Sequence, residues 1–185
     1  MISFGAGPVS GLMDGDDLSR QLETIAHAVD VGIDYFDTAA TYGNGRSELS
    51  LGAALETLRL KDRVRIATKV RLMPDRLDDI RLAVRNSFES SCDRLGVDRV
   101  MLLQLHNSIT TNRGDLPTSL SVPDVLGRYG VVAEFEKLRN EGRVEHFGFT
   151  GLGDRCSLST VVKDGPFAAS QVPLNILLPF EQSTI

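Results

Sequence analysis

The sequence predicts an α/β protein organised on a parallel sheet with crossover helices. Short, near-continuous apolar runs recur along the chain, and runs of that kind read as strands covered on both faces. Segments with apolar residues at helical spacing lie between them. The order is one strand followed by five helix–strand repeats, the alternation expected when helices cover a parallel sheet. Units of this size suit either a doubly wound sheet or a (β/α)8 barrel. A barrel takes about 250 residues, so six strands in 185 residues amount to about three-quarters of one.

Residues 2–6 are a short apolar run closed by Gly5, Gly7 and Pro8, and read as the first strand. After a polar loop over 11–17, Asp16 or Asp17 can cap a helix over 18–31, where Leu22, Ile25, Ala26 and Val29 recur at helical spacing. Gly32 ends it. The second strand, 34–38, runs into a small, polar, glycine-rich loop that carries Tyr42 and leads into a helix over about 47–60, with Leu49, Leu51, Leu55 and Leu58 expected to face inward. Residues 64–70, VRIATKV, are the third strand. Pro74 and Asp75 break the chain, and 77–95 is an amphipathic helix with Ile80, Val84, Phe88 and Leu95 on one face, stopped by Gly96. Residues 100–105 are the fourth strand, ended by His106 and Asn107. Residues 110–123 read as a polar loop without periodicity. A helix over 131–140, a fifth strand over 144–149, a short helix over 158–163 and a sixth strand over 168–174, ended by Asn175, complete the pattern.

The hydrophobic fraction of 42% and charged fraction of 24% are those of a soluble globular protein, read as one domain over 1–185. A net charge of −5 and a pI near 5.2 argue against a nucleic-acid or anionic-membrane binder. No apolar run approaches the roughly 18–20 residues needed to span a bilayer. The N-terminal stretch lacks the basic region of a secretory signal. Cys92 and Cys156 match no zinc or redox spacing, and three histidines argue against a multi-histidine metal site. The expectation is a cytoplasmic protein with reduced cysteines and no metal.

The polar residues fall where a site would form. Asp37 ends the second strand, Lys69 the third, His106 the fourth, and Thr150 and Gly151 the fifth. The carboxyl ends of parallel strands open onto one face, which carries the active site in barrels. Each residue also has an ordinary reading: a solvated lysine, a loop-capping aspartate, a boundary histidine, a tyrosine that packs its ring. Together they converge on one mouth. A buried lysine needs an anion, and Asp37 on the adjacent strand supplies one. Arg65 and Gln104 are read as lying away from the mouth, without a role.

This set suits proton donation to a carbonyl as hydride arrives. The reduction generates an alkoxide, which needs an acid beside it. A phenol is a poor acid at neutral pH, and a nearby ammonium favours its ionised form. His106 can donate a hydrogen bond that orients the carbonyl. No Ser or Cys stands in a G-x-S-x-G elbow, so the hydride must come from a cofactor.

The stretches DYFDTAATYGNGRSE, ATKV and LLQLHN, in this order and spacing, closely resemble the aldo-keto reductases. The resemblance covers essentially the whole chain. It implies a (β/α)8 barrel, here incomplete with about six βα units, and carbonyl–alcohol interconversion with NADP(H), or less often NAD(H). It places the family's tetrad on Asp37, Tyr42, Lys69 and His106, with Tyr42 as acid/base, Lys69 tuning it, Asp37 as partner of Lys69 and His106 orienting the substrate. The nicotinamide amide is expected at Thr150, Gly151 and Gln171; Thr150-Gly151 stands where the family usually has Ser-Asn. The FGAGPVSGLM opening and the GFTGLG turn look most like the sugar-oxidising branch, the galactose and threo-aldose 1-dehydrogenases, which implies a small carbonyl or sugar substrate and an aldose-to-lactone direction with Tyr42 as base.

The family continues for roughly 100 residues with two further βα units that bind the cofactor's phosphates. The chain is therefore expected to be a fragment or truncated product, or to be completed by another chain, with self-association through the open barrel edge. Two rival readings follow: a non-catalytic binding or regulatory relative, and a Schiff-base enzyme using Lys69. Residues 107–130 are expected to form either a surface insertion or a substrate lid.

Overall fold

The computed structural model describes residues 2–8 and 11–173. Its main sheet has six parallel strands: β1 (Phe4–Gly5), β2 (Tyr35–Asp37), β3 (Arg65–Val70), β4 (Val100–Leu105), β7 (Val144–Thr150) and β8 (Ala169–Gln171). They lie side by side in that order, with every neighbour parallel. A doubly wound sheet would reverse its strand order at a switch point. This one never reverses, so of the two architectures the strand pattern allowed, the structure is the singly wound one: a sheet curled into part of a barrel. Among the described residues β1 pairs only with β2 and β8 only with β7, so the sheet stays open.

The crossover helices are α1 (Leu18–Asp30), α2 (Arg46–Thr57), α3 (Ile80–Leu95), α5 (Val131–Asn140) and α6 (Arg155–Asp164). Asp17, Asp79 and Asp154 each accept a backbone N–H from the first turn of the helix that follows, which fixes the starts of α1, α3 and α6. Gly96, at φ +64°, closes α3. The spacing places α3 from 77 and α6 from 158; the caps move these starts to Ile80 and Arg155. In α2, Leu51 and Leu55 are buried as expected, while Leu49 is exposed.

Alternation along the strands separates two faces. Phe36, Ile66, Val70, Leu103, Leu105, Phe147 and Phe149 point at the helices and join Leu51, Leu55, Phe88, Leu95, Phe135 and Leu158 in one buried cluster. Each such side chain contributes about 1.5–3 kcal/mol by burial. The opposite parity, Asp37, Lys69, Gln104, Thr150 and Gln171 among others, lines the barrel interior. Cys92 lies in the outer cluster, where burial pushes its thiol up to about 11, so it is inert at neutral pH. No helix among the described residues is long and apolar enough to cross a membrane.

The segment read as a polar loop over 110–123 is more ordered than its lack of period suggests. Short strands β5 (Ile109–Thr110) and β6 (Leu120–Ser121) pair in parallel, and α4 (Val122–Leu126) follows. Pieces of two to five residues are too short to show a period. Polar side chains set them instead: Ser121 and Asp124 form a capping box, and Arg113 holds Asp124. The sixth strand, expected over 168–174, is seen as Ala169–Gln171; Leu174, Asn175 and the residues beyond lie outside the described residues.

Candidate active site

Lys69 is the centre of the site. Only 1% exposed, it points into the barrel interior one residue before the end of β3. Its Nζ donates to Asp37 Oδ2 at 2.6 Å, to the Thr38 carbonyl at 2.9 Å and to the Tyr42 hydroxyl at 3.3 Å. All three ammonium protons have acceptors. Parallel pairing of β2 and β3 sets this up, because Asp37 stands opposite Ala67, two residues before Lys69 on the same face. The ammonium also sits 4.9 Å from the centre of the Tyr42 ring.

Tyr42 is half-buried on the turn that joins β2 to α2. Gly43, Asn44 and Gly45 follow it with φ of +55°, +54° and +89°. Three consecutive left-handed residues suit Gly-Asn-Gly and strain most others, which is the local reason for the sequence YGNG. The turn is pinned from beneath. Ser47 donates to the Ala6 carbonyl and shares a hydrogen bond with Thr38. Glu48, fully buried, accepts from Thr68 of β3 and from Arg94 of α3. The helix after Tyr42 is thus tied to the residue after β1, to β3 and to α3 by polar groups.

His106 follows the last residue of β4. Its ring stands edge-on to the Tyr42 ring, with centroids 5.8 Å apart at 86°. Its Nδ1 lies 3.3 Å from Thr41 Oγ1. Burial pushes its pKa down to about 4, with the charges of Arg71 and Lys69 adding, so the imidazole is neutral at pH 7. Arg71 Nε donates to the His106 carbonyl at 3.1 Å. Buried Asn107 accepts from Leu72 N and donates to the carbonyls of Leu72 and Thr118, joining the loops after β3 and β4.

The structure thus brings Asp37, Tyr42, Lys69 and His106 to one mouth. The residues expected to face a nicotinamide amide lie further along the sheet. Thr150 is buried and its hydroxyl donates to the Leu105 carbonyl at 3.2 Å. Gly151 donates its N–H to the Gln171 carbonyl at 2.9 Å; a Cβ there would come within 2.6 Å of Val172 Cγ1, so the bare backbone lets the chain after β8 approach. Gln171 is exposed, and of the three it alone presents a side-chain amide.

Gln104 corrects the sequence reading, which placed it away from the mouth. It stands opposite Lys69 in register and is 2% exposed. Its Nε2 lies 3.5 Å from Asp37 Oδ1 and 3.4 Å from Gln171 Oε1, so one amide spans from the lysine's counterion to the far strand. Gly148, opposite it on β7, has no side chain to block that reach. The buried Oε1 has no partner among the described residues. The signal was present: a glutamine inside an apolar strand, two residues before His106 and of inward parity. Asp37, Gln104 and Gln171 border a cavity of about 230 Å³ with Tyr35 and Leu102.

Residues 1–185 match the model of the aldo/keto reductase family, and the chain belongs to that family. It is 30% identical over 152 residues to L-galactose dehydrogenase of Arabidopsis thaliana, covering 82% of this chain and 44% of the relative. It is 32% identical over 175 residues to D-threo-aldose 1-dehydrogenase of a Pseudomonas species, covering 82% and 50%. The chain spans about half the length of these relatives. Among solved structures it resembles the glycerol dehydrogenase of Gluconobacter oxydans, with TM-score 0.72, 25% identity, and coverage of 99% of this chain and 54% of that one. It also resembles an aldo-keto reductase from Klebsiella pneumoniae in complex with NADPH, with TM-score 0.70, 25% identity, and coverage of 98% and 60%.

Proposed function

We propose that this member of the aldo/keto reductase family carries the catalytic side of an NAD(P)-dependent oxidoreductase that interconverts a carbonyl (aldehyde, ketone or aldose/lactone) and an alcohol, with Tyr42 as general acid/base. The observation that carries this is the Lys69 ammonium, held between the Asp37 carboxylate at 2.6 Å and the Tyr42 hydroxyl at 3.3 Å. A phenol that gives up its proton leaves negative charge on its oxygen, and an ammonium already aimed at that oxygen stabilises the charge without reorganising. Asp37 keeps the ammonium in place. Neutral His106 has one N–H; a Thr41 hydroxyl that donates to Nδ1 leaves that proton on Nε2, free to hydrogen-bond a carbonyl oxygen beside Tyr42.

NADP(H), or NAD(H), would supply or take up the hydride when bound. The residues present fit its carboxamide end. Gln171 offers an exposed amide, and the Thr150 hydroxyl oxygen can still accept. A Schiff base on Lys69 does not fit, because its Nζ is buried and carries three hydrogen bonds. The sugar dehydrogenase relatives favour a small carbonyl or sugar substrate.

The test is Tyr42→Phe, assayed with an aldehyde and an aldose panel. Removing a general acid lowers kcat/KM by about 10²–10⁴-fold. NADPH binding, followed by nucleotide fluorescence, stays as in the wild type. Unchanged turnover in the variant would sink the proposal.

A further inference from the structure

We infer that the carbonyl substrate carries an anionic group, a carboxylate or a phosphate, and that Arg71 reads it. The inference rests on the oxidoreductase reading above and names the substrate class for that site.

Arg71 directly follows β3, two residues beyond Lys69, and is part-buried. Its Nε is committed to the His106 carbonyl at 3.1 Å, which anchors the guanidinium at the end of β4 beside the ring that faces Tyr42. That its charge weighs on the His106 ring is a second sign of closeness. The two terminal nitrogens have no hydrogen-bond partner among the described residues. A planar pair of N–H donors is the geometry that matches carboxylate and phosphate oxygens.

The charge balance separates Arg71 from its peers. The other part-buried arginines each pair with a carboxylate: Arg65 with Asp34, Arg85 with Glu134 and Glu141, Arg94 with Glu48, and Arg143 with Glu89. Among the described residues Arg71 has none, in a chain with 25 acidic and 20 basic residues. Carboxylates are in surplus, yet none is placed here. Lys69 is neutralised by Asp37 and His106 is uncharged, so Arg71 leaves one uncompensated positive charge at the mouth. A purely structural clamp on the His106 carbonyl would need only Nε and would tolerate a carboxylate on the outer nitrogens. A site that must accept an anion would not.

The experiment measures kcat/KM with NADPH for two matched pairs: succinic semialdehyde against butanal, and glyceraldehyde 3-phosphate against glyceraldehyde. The 185-residue chain is compared with Arg71→Gln and Arg71→Lys. The wild type is expected to favour the anionic member of at least one pair by about tenfold or more, the factor that 1.4 kcal/mol represents. The pair that shows it separates carboxylate from phosphate. Arg71→Gln should bring that ratio close to one, and Arg71→Lys, which keeps the charge without the fork, should fall between. Equal use of both members by the wild type, with turnover intact, overturns the inference while leaving the oxidoreductase reading standing. An anionic preference that survives Arg71→Gln also overturns it. If no aldehyde is turned over, the oxidoreductase reading fails, and calorimetric titration with succinate and with inorganic phosphate decides this one. Binding of either that Arg71→Gln weakens by about tenfold supports it; binding that the substitution does not change, or none, refutes it.

Discussion

Replacing Asp37 by Ala tests whether the Lys69 ion pair is as buried as its geometry implies. In the wild type Nζ has one anionic partner, Asp37 Oδ2 at 2.6 Å, and two neutral ones, the Thr38 carbonyl and the Tyr42 hydroxyl. The Lys69 side chain is 1% exposed and that of Asp37 12%. Asp37→Ala strands a charged ammonium with two neutral acceptors in a place water scarcely reaches. Removing one partner of a buried pair costs about 3–5 kcal/mol, mostly as the penalty of the charge left behind. Against a total stability of about 5–15 kcal/mol for a typical domain, that is a large share. The chain has no tryptophan, so urea unfolding is followed by far-UV circular dichroism, with ΔΔG read from the midpoint at constant slope. A second variant, Asp37→Leu with Lys69→Met, removes both charges and should be more stable than Asp37→Ala, since replacing a buried pair by apolar groups is often neutral or better. A loss below about 1 kcal/mol for Asp37→Ala would mean that the pair is solvated like a surface one. A double variant as unstable as the single would mean that the loss is packing, not charge. Either result refutes the reasoning.

Two further expectations follow from the same site. His106 falls from an ordinary 6.5 to about 4 in the fold, so between those values the unfolded chain binds more protons than the folded one. Its contribution is full above pH 6.5 and is lost as pH falls towards 4; urea midpoints across this window should fall more steeply for the wild type than for His106→Asn, and parallel curves would contradict it. Gln104→Met removes an amide whose oxygen is buried without a donor, so stability should change by less than about 1 kcal/mol. Turnover of an aldehyde should nevertheless fall, because Asp37 loses the amide that faces its Oδ1; equal turnover would show that Gln104 does not position Asp37.

Much of the fold was legible because helix and strand periods differ and the chain keeps them cleanly apart. The helix Val131–Asn140 falls where its spacing predicts, and the strand holding Lys69 is read to within a residue. Strand-end logic brought Asp37, Lys69 and His106 to one mouth because register in a parallel sheet is regular. What stayed hidden is contact between side chains far apart in sequence. Gln104 reads in the sequence as a polar residue inside a strand; only the register with Lys69 and the empty position at Gly148 reveal its reach to Asp37 and Gln171. Asn107 looks like a loop residue, yet it is buried and orders two loops with three hydrogen bonds. Such networks have no period to read.

The polar groups that sequence reasoning missed are not scattered. Ser47 with Thr38, Glu48 with Thr68 and Arg94, and Gln104 with Asp37 all surround the turn that presents Tyr42. A stability argument alone would fill these positions with apolar side chains, because a buried ionic or polar cluster seldom outperforms good packing. What such a cluster does provide is direction: each hydrogen bond works only at one distance and angle, whereas apolar contacts tolerate sliding. The helix-facing side of the same strands is apolar except beneath this turn, where Thr38 and Thr68 meet Ser47 and Glu48. Polar direction is thus concentrated around one turn, on both faces of the sheet, and the rest of the outer layer answers to volume. The turn is where a 3.3 Å approach of Lys69 to a phenol oxygen has to be held. That concentration makes the surroundings of the turn, and not the apolar remainder of the outer layer, the place where conservative substitutions should change chemistry more than stability.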